Sequence, residues 1–277
     1  MKYCRFLLDG EVRYGTVAER EGEFWIANLI PAPEEDLASQ LAAARRDATD
    51  QLVWECSAGQ FEPIRLSDAF LLAPVTPSKI ICVGRNYRDH AKELGNEIPA
   101  EPLLFFKPPS SLLAPGGVVR MPAASSRVDF EGEVALVIGR RTSRFKASGQ
   151  WPDVIRGYTL ANDVTARDLQ KKEGQWTRGK GWDTFCPVGP FVSDEVDPAA
   201  LTLETRVNGA LRQHGSTADF IFSIPELLEY ITAAITLEPG DLVLTGTPAG
   251  VGALSAGDRV DVSVAGLGIL SNTFQPE

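Results

Sequence analysis

The sequence predicts a β-rich α+β protein, and three observations support this class. From Lys79 onward most apolar segments are short and end at Gly or Pro, which is typical of strands joined by turns. Asn208-Gly209 lies between two such segments and is a strong signal for a type I′ hairpin. The chain also lacks the regular alternation of strand and helix that a doubly wound sheet requires. We therefore expect a sheet-dominated main domain with few helices.

A small α/β accessory domain is predicted for residues 1–73. Residues 2–28 contain short β-prone segments separated by Asp9-Gly10 and by a polar turn at 19–23, which indicates a β-meander. The Ala-rich segment 33–46 has acidic residues near its start and arginines at its end. That order favours a helix, because it complements the helix dipole.

A larger domain is predicted for residues 74–277, after a proline-containing linker at 62–78. One clear helix is expected at 224–235, because Ser223 and Glu226 have the spacing of a capping box. The other predicted elements of this domain are strands at 79–84, 103–107, 130–138, 156–163, 201–207, 210–214, 241–246 and 259–264.

The composition excludes several classes of protein. The 27 Lys and Arg against 37 Asp and Glu give a net charge of -10, which argues against binding to the phosphate backbone of nucleic acids. No segment approaches the roughly 18 apolar residues of a membrane span. With only two histidines, carboxylates would have to supply most ligands of any metal. The four cysteines form no C-x-x-C pair, so we expect free thiols and a cytoplasmic protein. From the charge and the apolar segments we expect it to bind neither nucleic acid nor membranes.

Two glutamates, Glu131 and Glu133, come directly before the most apolar predicted strand. In a strand, residues i and i+2 point to the same face, so the two carboxylates would lie side by side. A divalent cation would relieve their repulsion, because Mg²⁺, Mn²⁺ and Ca²⁺ prefer carboxylate oxygens. The alternative is a solvated strand edge, and the identical tripeptide Glu21-Gly22-Glu23 in a polar turn shows that the motif alone is not diagnostic.

A third carboxylate, Asp163, lies where a strand-like segment gives way to a helix-like one. It is either a metal ligand or the N-cap of that helix. On the helix, Arg167 and Gln170 share a face and could bind a carboxylate of a substrate, although an exposed polar face explains them as well.

His90 and Glu93 are three residues apart on a predicted short helix that ends at Gly95. The carboxylate could orient the imidazole and raise its basicity, which would produce a base able to activate water. The alternative is a surface ion pair worth less than about 1 kcal/mol. His214 has no such neighbour in the sequence and is expected to be structural.

Two glycine-rich segments remain. The first, 174–181, matches a P-loop only in part, because Gly181 stands where Ser or Thr must hold Mg²⁺, and nucleotide binding is rejected. Within it, Lys180 is a candidate cation in a flexible segment. The second, 245–252, contains Thr247, and its glycines allow close approach of the backbone to an anion.

Taken together, these motifs resemble the fumarylacetoacetate hydrolase family. The matching segments follow the family's order over residues 75–275: Gly84-Arg85-Asn86-Tyr87 with His90 and Glu93, 105–108, 129–133, 162–168 with Gln170, Lys180 with 183–187, and 245–250. The resemblance implies a mixed β-roll in the main domain and, usually, a homodimer.

The resemblance also implies a site and its roles. It places Mg²⁺, or alternatively Mn²⁺ or Ca²⁺, on Glu131, Glu133 and Asp163. It implies that His90 and Glu93 lie on a lid helix and activate water, while Lys180 stabilises the enolate. The residues implied to contact a small anionic 2-oxo acid substrate are Arg167, Gln170 and Thr247.

Several functions are compatible with that chemistry. The leading hypothesis is a Mg²⁺-dependent hydrolase that cleaves a C–C bond in acylpyruvates such as fumarylpyruvate, in the breakdown of aromatic compounds. An oxaloacetate-type decarboxylase and an isomerase of 2-hydroxyhepta-2,4-diene-1,7-dioate are alternatives within the same chemistry. A non-catalytic, metal-dependent dicarboxylate-binding protein is the alternative from another class.

Overall fold

The structure is a computed structural model that describes residues 1–33, 61–93, 95 and 97–277. Within these ranges it is mostly strand, as predicted. The α-helices are α1 (Arg88–Glu93), α2 (Arg167–Lys172), α3 (Thr177–Lys180) and α4 (Ile224–Ala234). The strands are β1 (Lys2–Leu8), β2 (Glu11–Arg20), β3 (Glu23–Ile30), β4 (Ile64–Arg65), β5 (Phe70–Leu72), β6 (Ile80–Gly84), β7 (Leu103–Lys107), β8 (Leu112–Leu113), β9 (Val118–Met121), β10 (Val128–Phe130), β11 (Gly132–Ile138), β12 (Ile155–Asn162), β13 (Thr165–Ala166), β14 (Cys186–Ser193), β15 (Thr202–Val207), β16 (Ala210–Ser216), β17 (Leu242–Leu244), β18 (Gly252–Ala253), β19 (Arg259–Val264) and β20 (Gly268–Pro276).

These strands form three sheets within the described residues. The largest has the order β4-β3-β2-β1-β14-β12-β11-β17-β6-β7, with β5 beside β1 and β8 beside β14. The second has the order β16-β15-β19-β20-β9, and the third is β13-β10-β18. Most pairs are antiparallel, and β17 with β6 is one of the parallel pairs.

Strand β11 is the centre of the core, because both of its faces are buried. Val134, Leu136 and Ile138 pack in a cluster with β15, β19 and α4, whereas Ala135 and Val137 pack in a second cluster with β6, β14 and β17. A strand buried on both faces reads as a continuous apolar run, which is the pattern that the sequence shows here. Acidic residues at the start of such a strand are therefore held in the interior.

The N-terminal strands extend the largest sheet. Strand β1 pairs antiparallel with β14, with Tyr3 opposite Val192. The segment interpreted as a linker contains two short strands, because β4 pairs with β3 and β5 pairs with β1. The division into domains at residue 73 stays a prediction, and the helix predicted at 33–46 lies, beyond Pro33, outside the described residues.

Several local predictions are confirmed. The capping box of Ser223 and Glu226 is present at the start of α4. Asn208 and Gly209 have φ angles of 51° and 82°, as a type I′ turn requires. The strand predicted at 130–138 is interrupted at Glu131, because β10 pairs with β13 and β18, whereas β11 pairs with β12 and β17. The chain thus changes sheets at this glutamate.

Candidate active site

Three carboxylates meet where the central strands end. Glu131 lies between β10 and β11, Glu133 lies in β11, and Asp163 follows β12 directly. The antiparallel pairing of β11 with β12 places Gly132 opposite Asn162, so the three acidic residues become neighbours. Each contributes an oxygen within 4.8 Å of the others, and their exposed fractions are 4%, 2% and 1%. Asp163 is therefore not a helix cap, since Ala166 precedes α2.

Gly132 explains why the motif reads Glu-Gly-Glu. A Cβ atom at this position would lie 2.1 Å from Oγ1 of Thr205, on the neighbouring strand β15. The backbone N–H of Gly132 donates a hydrogen bond of 3.0 Å to Oε1 of Gln213. The absent side chain thus lets β11 pack closely against the second sheet while the two flanking glutamates face the site.

Two buried lysines compensate part of the negative charge. Nζ of Lys180 donates to Oε2 of Glu131 at 2.7 Å and to Oδ2 of Asp163 at 2.5 Å. Nζ of Lys107 donates to Oδ1 of Asp163 at 2.7 Å and to the carbonyl oxygen of Val164 at 3.1 Å. Lys180 is 2% exposed at the end of α3, so the prediction that it lies in a flexible segment was wrong.

Glu133 is different, because it has no cation as a direct partner among the described residues. Its Oε2 accepts a 2.7 Å hydrogen bond from the backbone N–H of Gly246. Burial, and then the charges of Asp163 and Glu131, raise the pKa of Glu133 well above its ordinary value. For Glu131 burial acts in the same direction, but the charges of Lys180 and then Arg167 outweigh it and lower the pKa.

This donor set fits a divalent metal ion. Three buried carboxylates with mutually close oxygens are hard ligands of the kind that Mg²⁺, Mn²⁺ and Ca²⁺ prefer. The carboxylate without a cation as a direct partner, Glu133, is the one whose ionised form such an ion would stabilise most. Glu131, Glu133 and Asp163 would therefore hold the metal.

Arg167, the first residue of α2, is oriented by three side chains. Its Nε donates to Oδ2 of Asp129 at 2.8 Å, and its Nη1 donates to Oε1 of Gln170 at 2.7 Å. Its Nη2 forms a short hydrogen bond with Oε1 of Glu131. The predicted neighbourhood of Arg167 and Gln170 is thus present, and Asp129, which is fully buried, fixes the guanidinium in the site.

His90 and Glu93 form the second chemical group, on α1. Oε2 of Glu93 lies 3.5 Å from Nδ1 of His90, which is an electrostatic contact longer than a normal hydrogen bond. Both Glu93 oxygens accept the backbone N–H of Gly250 at 3.1 Å. Burial lowers the pKa of His90 in spite of the nearby charges of Glu131 and Glu93, so the imidazole is neutral near pH 7.

These groups line one open cavity of about 530 Å³. Phe105 and Trp176 form an aromatic wall, with ring centres 5.2 Å apart, and Nζ of Lys180 lies 4.9 Å from the Phe105 centroid. Thr247 also lines the cavity, but its hydroxyl already donates to the carbonyl oxygen of Gly132 at 2.8 Å. The cavity contains every residue that the sequence assigned to the site: His90, Glu93, Glu131, Glu133, Asp163, Arg167, Gln170, Lys180 and Thr247.

Sequence analysis assigned no role to two buried charges, and spacing along the chain did not indicate one contact of a histidine. Lys107 and Asp129 support the site, and each could have been noticed as a charge beside an apolar segment. His214, which has no carboxylate neighbour in the sequence like that of His90, has its Nδ1 3.6 Å from Oε1 of Glu204, on the paired strand β15. That contact is largely solvent-exposed and lies apart from the cavity.

The fold agrees with comparisons to known proteins. Residues 79–275 match the fumarylacetoacetate hydrolase C-terminal family model. The chain belongs to this family of enzymes, and its carboxylate cluster agrees with metal-dependent chemistry.

Three relatives have informative names. Oxaloacetate tautomerase YisK of Bacillus subtilis is 45% identical over 250 residues, which cover 85% of this chain and 80% of that protein. A 2-hydroxyhepta-2,4-diene-1,7-dioate isomerase from Mycobacterium marinum is 39% identical with a TM-score of 0.83, covering 100% of this chain and 99% of that chain. A fumarylacetoacetate hydrolase from Exiguobacterium antarcticum is 36% identical with a TM-score of 0.78, covering 100% of both chains. No helix in the described part of this chain is long and apolar enough to span a membrane.

Proposed function

We propose that this protein is a divalent-metal-dependent enzyme that interconverts the keto and enol forms of small 2-oxo acids of the oxaloacetate type. The observation that carries the proposal is the presence of one buried, neutral base, His90, in the same cavity as the carboxylates Glu131, Glu133 and Asp163. Conversion of a ketone to its enol needs such a base beside a group that stabilises the developing oxyanion.

The proton of the reaction moves between carbon and oxygen. Nδ1 of His90 faces Glu93, which leaves Nε2 to accept a proton from the carbon next to the 2-oxo group. The same proton is then delivered to the enolate oxygen, so the reaction is an isomerisation and needs no other reactant. A bound divalent ion would supply Lewis-acid polarisation of the 2-oxo group.

The remaining residues bind and shield the substrate. The ammonium group of Lys180 is buried, and its pKa is raised because the charges of Asp163 and Glu131 outweigh the effect of burial. It is therefore charged and can donate a hydrogen bond to the enolate oxygen. Arg167 and Gln170 would hold the substrate carboxylate, while Phe105 and Trp176 limit access of water.

Hydrolysis of acylpyruvates is the second candidate, and the His90-Glu93 pair favours it. A histidine beside a carboxylate is suited to remove a proton from water, and the hydroxide would then attack the acyl carbonyl carbon. The C–C bond to the pyruvate carbon would break with its electron pair, and a proton would complete the pyruvate product. The relative named fumarylacetoacetate hydrolase supports this reading.

The substrate class is tested by a panel of compounds. Purified protein with Mg²⁺ is incubated with oxaloacetate, acetylpyruvate, fumarylpyruvate and 2-hydroxyhepta-2,4-diene-1,7-dioate, and the products are identified by NMR. We expect accelerated keto-enol exchange of oxaloacetate. Cleavage of an acylpyruvate without such exchange would favour the hydrolase, and carbon dioxide release would indicate a decarboxylase. Tight binding with no turnover of any compound would indicate a binding protein.

We further propose a cytoplasmic homodimer with Mg²⁺ as the working metal and an anionic 2-oxo acid as its ligand. The chemistry proposed here requires neither a nucleic acid nor a membrane as a partner. Sedimentation at two protein concentrations tests the dimer. A role in the breakdown of aromatic compounds would follow if the dienedioate or fumarylpyruvate is the best substrate of the panel.

A further inference from the structure

Arg85 lies at the turn between β6 and α1 and lines the same cavity as the candidate site. It has a φ angle of 58°, in the left-handed region that glycine adopts without strain. Its two neighbours are Gly84, and Asn86, which is fully buried. The turn therefore presents this one long side chain beside the site.

Hydrogen bonds of Asn86 fix the turn in place. Nδ2 of Asn86 donates to the carbonyl oxygens of Thr245 at 2.9 Å and Phe222 at 3.2 Å, and its Oδ1 accepts the N–H of Phe222 at 2.8 Å. A non-glycine residue held at positive φ persists only where the surrounding structure enforces it, and such residues concentrate at functional sites. Glycine would satisfy the backbone here, so the presence of arginine points to a use for its side chain.

The guanidinium of Arg85 also has no carboxylate partner among the described residues. Arg127, on the same cavity, is held by Asp129 through Nε at 2.8 Å and Nη2 at 3.1 Å. Arg167 is shared among Asp129, Gln170 and Glu131. Lys171 lines the cavity as well, but it is an exposed, flexible cation. Arg85 is half-buried, which makes it the better placed cation for recognition of a ligand anion.

We propose that Arg85 binds the second carboxylate of the substrate, so that the site prefers 2-oxo dicarboxylates to 2-oxo monocarboxylates. The inference rests on the proposed function, because it assumes that the 2-oxo acid end of the ligand lies at the Glu131, Glu133 and Asp163 cluster. An arginine binds a carboxylate through two parallel N–H donors, which gives both affinity and geometric selection.

Two pairs of compounds measure the contribution of the second carboxylate to binding and to turnover. The first pair, 2-oxoglutarate and 2-oxovalerate, is compared by calorimetric titration in Mg²⁺ buffer. The second pair, oxaloacetate and 2-oxobutyrate, is compared by exchange of the C3 protons with deuterated water. In each pair the two compounds differ by a carboxylate in place of a methyl group. We expect the wild-type protein to prefer the dicarboxylate in both.

Arg85→Gly is the informative variant, since glycine fits the turn. We expect it to weaken dicarboxylate binding about 10- to 100-fold while leaving the monocarboxylate unchanged. Arg85→Lys should retain part of the preference, and Lys171→Gln, the matched control, should retain all of it. Circular dichroism and thermal melting check that all three variants are folded.

Three results would overturn the inference: an unchanged preference in Arg85→Gly, an equal loss for both members of a pair, or a loss in Lys171→Gln instead. Failure of the proposed function is separate. A wild-type protein that binds 2-oxoglutarate in preference to 2-oxovalerate through Arg85, yet accelerates no proton exchange, would support the inference and refute the tautomerase. Proton exchange without any preference for dicarboxylates would support the tautomerase and refute the inference about Arg85.

Discussion

Oε2 of Glu133 accepts a 2.7 Å hydrogen bond from the backbone N–H of Gly246, and among the described residues no cation is its direct partner. Glu131 and Asp163, in contrast, each contact Lys180. The negative charge of Glu133 is thus less well compensated than that of the other two carboxylates before any ion binds. Because Glu133 is in no ion pair within the part of the chain that the structure describes, its role in metal binding can be tested by a substitution that leaves the stability of the fold intact.

Glu133→Gln should weaken Mg²⁺ binding at least about tenfold without destabilising the metal-free protein, because neutralising this side chain removes repulsion and breaks no ion pair. Calorimetric titration and thermal melting in EDTA measure the two effects. Glu23→Gln, in the identical tripeptide of the β2–β3 turn, is the matched control and should change neither by much. Unaltered Mg²⁺ affinity in Glu133→Gln would contradict the metal assignment.

Lys180→Met should destabilise the metal-free protein by about 3–5 kcal/mol, since it leaves Glu131 and Asp163 buried with less compensation. Added Mg²⁺ should recover part of this loss, because a cation replaces the missing charge. Urea unfolding with and without Mg²⁺ provides the measurement. Lys171→Met, on the exposed side of α2, serves as the control. A metal-free Lys180→Met protein as stable as the wild type would be inconsistent with this electrostatic account.

Gly132→Ala should cost about 1–3 kcal/mol of stability, because its Cβ would lie 2.1 Å from Oγ1 of Thr205. Gly174→Ala, where no atom lies within 4 Å of the added carbon, should be close to neutral. Chemical denaturation compares the two. Equal stabilities of the two variants would mean that β11 and β15 are not packed as closely as the structure shows.

The pH profile should report His90. Burial lowers its pKa, and the neutral form is the base, so activity should persist below pH 6.5 and fall only as the imidazole becomes protonated at lower pH. Glu93→Gln should move this acidic limb to still lower pH, because the charge of Glu93 raises the pKa of His90. His90→Asn should lose about 10²- to 10⁴-fold in kcat/KM. An acidic limb that stays in place in Glu93→Gln would assign it to another group.

Much of this architecture could be predicted from residues that are close to one another in the sequence. The capping box, the Asn208-Gly209 turn and most of the main-domain strands depend on neighbours in the sequence, and the structure contains them. Strand β14 was missed, because Pro187, Gly189 and Pro190 argue locally against a central strand. Only its pairing with β1 and β12 explains its place in the sheet.

Spacing along the chain predicted those parts of the site whose residues share an element, whereas Lys180 and Thr247 were added through the resemblance to the family. His90 with Glu93, and Arg167 with Gln170, are helical neighbours, so spacing alone brought them together. Lys107 reaches Asp163 from a strand 56 positions away, a contact that sequence spacing does not encode. The burial of Lys180 likewise depends on tertiary packing, because its sequence neighbours are glycine and polar residues.

The most direct test of the central claim is NMR measurement of C3 proton exchange of oxaloacetate in deuterated water. The wild-type protein should accelerate this exchange with Mg²⁺ and lose the acceleration in EDTA. Glu133→Gln should show little acceleration at Mg²⁺ concentrations that saturate the wild type, and His90→Asn should show little at any concentration. Exchange at the wild-type rate in EDTA, or in both variants with Mg²⁺, would contradict a metal-dependent base mechanism at this site.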